Sequence, residues 1–157
     1  MARLDINTKA PDFMLPDLNG KVFQLSEYIG KKHVLVVFNR GFIWPFCQKH
    51  MAQLRQEFDL FSQRDTIIVV VGPENAANFQ SYWEKNQLPF IGLPDEQKKV
   101  LNLYGQEVVF LKLGRMPAQM LIDKQGILRF AHYGNSMQDI PEGKELLDLL
   151  DDIQKES

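Results

Sequence analysis

The sequence of 157 residues contains a single cysteine, Cys47. That excludes an intramolecular disulfide and a cysteine-rich zinc site. The three histidines, His33, His50 and His132, are too far apart to form a local metal-binding motif, and no metal or cofactor is expected. No apolar run approaches the roughly 18 residues of a membrane-spanning helix. The longest stretches, such as Val34-Leu-Val-Val-Phe38, suit a buried strand. Neither charge dominates: Lys and Arg number 18, Asp and Glu 20, for a net charge of -2. No nucleic-acid or membrane partner is expected from such a balance. The N-terminus lacks the apolar core of a secretory signal. With no signal and no disulfide, a reducing cytoplasm is the expected location.

What is present is an ordinary globular composition, 45% hydrophobic and 24% charged. Residues 1–157 read as a single domain. Apolar residues on either side of Asn19-Gly20 predict an N-terminal hairpin with arms at 13–15 and 21–25, Pro16 confining the first arm to an edge. Ser26 to Gly30 reads as one helical turn, with Ser26 as its N-cap. His33–Phe38 is continuous, apolar and β-branched, as in a central strand covered on both faces. Pro45 suits the first position of a helix. Cys47, Met51, Leu54, Phe58 and Phe61 then fall on one stripe, ending near Gln63. Residues 66–71 form a second buried strand, completing a βαβ unit with a right-handed crossover.

The pattern continues with a helix over 76–86, with Phe79, Tyr82 and Trp83 inward. Asp95 can cap a short helix bearing Val100, Leu101 and Tyr104 and stopping at Gly105. Residues 106–113 carry no clear pattern. Residues 118–122 and 127–131 flank Lys124-Gln-Gly126 as a second hairpin. A final helix opens at Asp139 and Pro141, with Leu146, Leu147, Leu150 and Ile153 inward. This order predicts an α/β thioredoxin-like fold: a central mixed β-sheet flanked by helices, with an extra N-terminal β-hairpin.

Chemistry concentrates at Cys47. It is the third residue of a helix entered from the C-terminal end of a central strand, the edge where open α/β sheets bind ligands. First-turn N–H groups and the helix dipole favour an anion there, so a lowered thiol pKa is expected. From Glu27 to Glu57 no acidic residue intervenes, whereas Lys31, Lys32, Arg40, Lys49 and Arg55 all lie in that window. His50 shares a helix face with Cys47. The plainer alternatives remain open. Free cysteines are often buried filler, His50 can lie on a solvated face, Arg40 can be a surface residue, and Trp44 and Phe46 can be core or pocket wall.

At these residues the chain resembles the peroxiredoxin (AhpC/TSA) family. Lys9-Ala-Pro-Asp-Phe-Met-Leu-Pro-Asp-Leu-Asn-Gly20 is similar to that family's opening. So is the order of strand, cysteine-bearing helix and Met120-Leu-Ile-Asp-Lys-Gln-Gly-Ile-Leu-Arg129. Arg40-Gly-Phe-Ile-Trp-Pro-Phe-Cys47 resembles the Arg-Gly-x-Trp-Cys-Pro-x-Cys stretch of a divergent branch. The departures are specific. The family pattern Pro-x-x-x-Thr-x-x-Cys has Arg40 at its proline and Trp44 at its threonine, and an indole N–H donates without accepting. Pro117 stands at the family's later arginine, with Arg115 two residues earlier. The divergent branch has a cysteine where this chain has Trp44.

The resemblance implies a one-cysteine peroxide reductase. Cys47 would be peroxidatic, and Arg40 or Arg115 would stabilise its thiolate. Trp44, Pro45, Phe46, His50 and Pro117 would border the substrate pocket, with Phe42 joining Trp44 and Phe46 at its lip. Hydrogen peroxide or an organic hydroperoxide would be the substrate. An external thiol (thioredoxin, glutaredoxin or a small thiol) would be the reductant, and a homodimer is compatible with this reading. By analogy with thioredoxins, Met116–Pro117 is expected to be cis. The competing reading is a redox-inactive or oxidant-sensing thioredoxin-fold binding module.

Overall fold

The computed structural model describes residues 3–109 and 114–156. Its centre is a mixed five-stranded sheet. β3 (His33–Phe38) lies in the middle, parallel to β4 (Thr66–Gly72), which is parallel to β5 (Ile91–Pro94). On its other side β3 pairs antiparallel with β8 (Ala118–Ile122), and β8 with β9 (Leu128–Tyr133). Every residue of β3 is buried, as the unbroken apolar run requires. Val34, Val36 and Phe38 enter one core layer, whereas Leu35 and Val37 enter the other. This alternation follows from the two-residue period of a strand.

The second layer is closed by three helices: α1 (Pro45–Ser62), α2 (Ala76–Asn86) and α4 (Gly143–Lys155). Met51, Leu54 and Phe61 of α1, Phe79 and Trp83 of α2, and Leu146, Leu147, Leu150 and Ile153 of α4 fill it. Tyr82 is half-buried and packs against this layer. The first layer is closed by the N-terminal segment and by α3 (Lys99–Leu103), which contributes Val100 and Leu101. Asp95 caps α3, its carboxylate accepting from the backbone N–H groups of Lys99, Val100 and Leu101. Among the described residues no helix is long and apolar enough to cross a membrane.

The N-terminal hairpin joins β1 (Met14–Pro16) to β2 (Val22–Gln24). Its turn is longer than Asn19-Gly20 alone. Asp17 Oδ1 accepts from the N–H groups of Asn19 and Lys21, and of Asn19 and Gly20 only Gly20 has positive φ. Ser26 is not an N-cap. It lies inside a 3-10 turn (Leu25–Tyr28), where its N–H donates to Asp12. In the stretch with no clear pattern, β6 (Val108–Val109) pairs with β7 (Gly114–Arg115); residues 110–113 lie outside the described residues. α4 starts later than Asp139 and Pro141 suggest, with Glu142 preceding its first turn. The Asp139 carboxylate is committed elsewhere, accepting from the Asn135 N–H and from His132. The Met116–Pro117 peptide is trans, not cis.

Candidate active site

The loop from the end of β3 to the start of α1 is built from the backbone outwards. Asn39 N–H extends the ladder to Val71 O, and Asn39 Oδ1 accepts from Gly41 N–H at 2.6 Å. Gly41 has φ 141°, a value that favours glycine. The Phe42 N–H donates to Glu74, and the Phe42 ring packs against Phe79, Tyr82 and Trp83. Phe42 is therefore a buried anchor, not a pocket lip. Pro45 opens α1, where a missing N–H costs nothing. Cys47 follows in the first turn.

Cys47 is 2% exposed. Burial pushes its thiol pKa above the ordinary value, which corrects the expectation of a lowered one. Three groups act in the other direction: the backbone N–H groups of Arg40 and Gly41, and the Arg40 guanidinium. The Glu74 carboxylate adds to the upward push. Together these lowering groups do not outweigh the loss of solvent at this sulfur.

Arg40 is not a surface residue; it is 6% exposed. Its Nε donates to Arg115 O at 2.6 Å, and its guanidinium lies 4.2 Å over the Trp44 ring. Its Nη1 is buried without a partner among the described residues. Burial lowers its pKa, and Cys47 opposes that shift. The Arg115 side chain is engaged away from the sulfur. Its Nη1 donates to Gln106 Oε1 at 3.0 Å, and its charge faces Asp95. It supports Arg40 through its carbonyl. Lys49 and Arg55 are exposed, as expected of residues off the apolar stripe.

Behind the sulfur lies a cavity of about 10 Å³, lined in part by Cys47, His50, Pro117, Gln119, His132 and Asp139. That is room for about one water-sized sphere. Three of the residues singled out in the sequence, Cys47, His50 and Pro117, therefore meet there. Trp44, Pro45 and Phe46 do not border it. Trp44 is spent on Arg40, Pro45 is exposed, and Phe46, 39% exposed, faces a separate groove of about 180 Å³. His50 borders both spaces.

His50 is buried rather than solvated. The Gln119 amide N–H donates to its Nε2 at 2.5 Å, which leaves the ring proton on Nδ1. Burial holds its pKa down to about 4, so the ring is neutral near pH 7. Gln119 pairs across the strands with His132, and His132 Nε2 lies 3.0 Å from Asp139 Oδ1. Asp139 is held below the usual carboxylate range by the Asn135 N–H and by His132. Sequence reasoning missed Gln119, His132 and Asp139. The available signal was a glutamine inside an otherwise apolar inner strand, because a buried amide needs a partner.

A five-stranded mixed sheet with a cysteine in the first turn of the helix after its middle strand defines a thioredoxin-like protein with a single redox-capable thiol. The AhpC/TSA family model matches residues 6–131, and the chain belongs to that family. It is 30% identical over 132 residues to peroxiredoxin Bcp of Bacillus subtilis strain 168, covering 80% of this chain and 82% of that protein. It is 27% identical over 154 residues to chloroplastic peroxiredoxin Q of Populus jackii, covering 97% and 70% respectively. The crystal structure of peroxidoxin BcpB from Mycobacterium tuberculosis superposes with a TM-score of 0.84 at 19% identity, covering 96% of this chain and 99% of that one. This last likeness supports the fold.

Proposed function

We propose that the chain is a one-cysteine, thiol-dependent peroxide reductase with Cys47 as its peroxidatic residue. The observation that carries this reading is the convergence of two backbone N–H groups and the Arg40 guanidinium on a lone thiol in an AhpC/TSA chain. The Cys47 thiolate attacks one peroxide oxygen. An S–O bond forms as the O–O bond breaks, the departing oxygen leaves with the electron pair and takes a proton, and sulfur becomes a sulfenic acid. Arg40 stabilises the thiolate and the departing oxygen. Arg115 positions Arg40 through its carbonyl. Hydrogen peroxide or a small organic hydroperoxide approaches by the groove that Phe46 and His50 border. With no second cysteine in the chain, an external thiol attacks the sulfenic sulfur and releases water. A second equivalent then cleaves the mixed disulfide. Thioredoxin, glutaredoxin and small thiols of the cytoplasm are the candidate reductants, and a homodimer is compatible with the arrangement.

The raised thiol pKa favours the competing reading, a redox-inactive or oxidant-sensing binding module, because only the thiolate reacts. Stopped-flow oxidation at pH 7 separates the two. Wild type should react with hydrogen peroxide well above the rate of free cysteine, and Cys47→Ser should consume none. A wild-type rate no faster than free cysteine rejects the enzyme and leaves the module.

A further inference from the structure

Gln119 is 2% exposed, and its Oε1 has no hydrogen-bond partner among the described residues. A buried amide oxygen without a donor forfeits its hydration with nothing in return. The other end of the same amide is fixed by donation to His50 Nε2. Gln119 and Cys47 line the same cavity, which has space for about one oxygen atom. The thiolate offers Oε1 no proton, and the thiol that burial favours offers only a weak S–H donor. A sulfenic acid offers a stronger O–H donor, on an oxygen attached to the sulfur that borders the cavity.

We propose that this cavity receives the oxygen of the Cys47 sulfenic acid, whose O–H donates to Gln119 Oε1. Gln119 is then a positioning residue for the oxidised state, itself oriented by His50. The inference rests on the peroxidase reading above and adds a state-specific role to it. Two consequences follow from the chemistry. The hydrogen bond keeps the proton on the sulfenic oxygen, whereas a second oxidation proceeds through the deprotonated sulfenate. That second step would form another S–O bond as a second peroxide O–O bond breaks, giving a sulfinic acid. A cavity sized for one oxygen has no place for the second. The arrangement therefore favours arrest at the sulfenic acid until a thiol arrives.

The test is the ratio of sulfinic to sulfenic Cys47, read by intact-protein mass spectrometry after dimedone trapping. Thiol-free protein is treated with one to one hundred equivalents of hydrogen peroxide. Gln119→Leu, which removes the acceptor, should raise that ratio about tenfold over wild type at equal peroxide. Gln119→Glu, which keeps an oxygen acceptor, should fall between them. An equal ratio in wild type and Gln119→Leu overturns the inference. Absence of any Cys47 oxidation in wild type overturns the peroxidase reading instead. Should the variants not fold, a crystal structure of wild type oxidised with one equivalent decides the matter. The sulfenic oxygen should lie about 2.5–3.0 Å from Gln119 Oε1. An oxygen directed towards Arg40 overturns the inference.

Discussion

Each end of β3 carries a buried histidine close by, and the surroundings of the two contrast. At the N-terminal end, His33 Nδ1 accepts from the Lys124 N–H. Beside it the Asp123 carboxylate accepts from the N–H groups of Gln125 and Ile127 and from Arg129. None of the buried side-chain atoms there is left without a partner among the described residues. At the C-terminal end, Arg40 Nη1 and Gln119 Oε1 are both buried and have no partner among the described residues. Saturated polar groups hold a turn in place at one end. At the other, unspent hydrogen-bonding capacity surrounds the sulfur, as expected where a ligand or a reaction intermediate supplies the missing partner. The end that holds the fold and the end that does chemistry can therefore be distinguished by counting satisfied atoms.

Substitutions at the two ends should separate stability from reactivity. The largest effect is expected at the saturated end. Asp123→Ala removes the acceptor of two turn N–H groups and one arginine, and should lower unfolding stability by about 3 kcal/mol. Urea denaturation measures this, and thiol titration of the folded protein should not change. A shift in the Cys47 titration comparable to the stability loss would show that the two ends are coupled.

Next is the response to acid. His50 titrates at about 4 in the folded chain against an ordinary value of 6.5. Below pH 6.5 the unfolded chain binds a proton that the folded chain refuses, so stability falls until about pH 4. At pH 5 the loss amounts to about 2 kcal/mol. His50→Gln should remove that slope, seen as the difference between wild-type and variant unfolding free energies from pH 7 to pH 5. His33, also held down by burial, contributes to both proteins and cancels in the difference.

The smallest effect concerns the guanidinium. Arg40→Met should raise the Cys47 pKa further, because a lowering charge is lost, and slow peroxide oxidation at pH 7 by roughly tenfold. Stability should change less than in Asp123→Ala. Arg115→Met should leave the thiol titration in place, since Arg115 reaches Arg40 through its backbone carbonyl. Equal shifts in both variants would place Arg115, not its carbonyl alone, in the field of the sulfur.

What the sequence revealed depended on whether the relevant interaction was local. β3, α1 and β4 follow from apolar periodicity, and Pro45 marks the start of the helix that carries Cys47. The Asp95 cap is equally local, its acceptors and donors lying within six residues. The choice between Arg40 and Arg115 was not legible, because it depends on a contact across 75 positions. The His50–Gln119 pair spans 69. The thiol pKa was misjudged for a related reason. A helix N-terminus can be read from the chain, whereas the depth of burial that raises the thiol pKa is set by the whole fold. Asp139 resembles a helix cap in sequence but is held by His132 and the Asn135 N–H, both on the β9 side.

A lone thiol at 2% exposure also gives the protein a built-in gauge of its own breathing. A bulky disulfide reagent reaches so buried a sulfur only through local opening of the structure around it. Its labelling rate, compared with that of the denatured chain, therefore reports the free energy of local opening. No engineered probe is needed and no second thiol confuses the signal. Because an incoming reductant faces the same barrier as the reagent, that free energy would also set a ceiling on how fast the oxidised enzyme can be recycled.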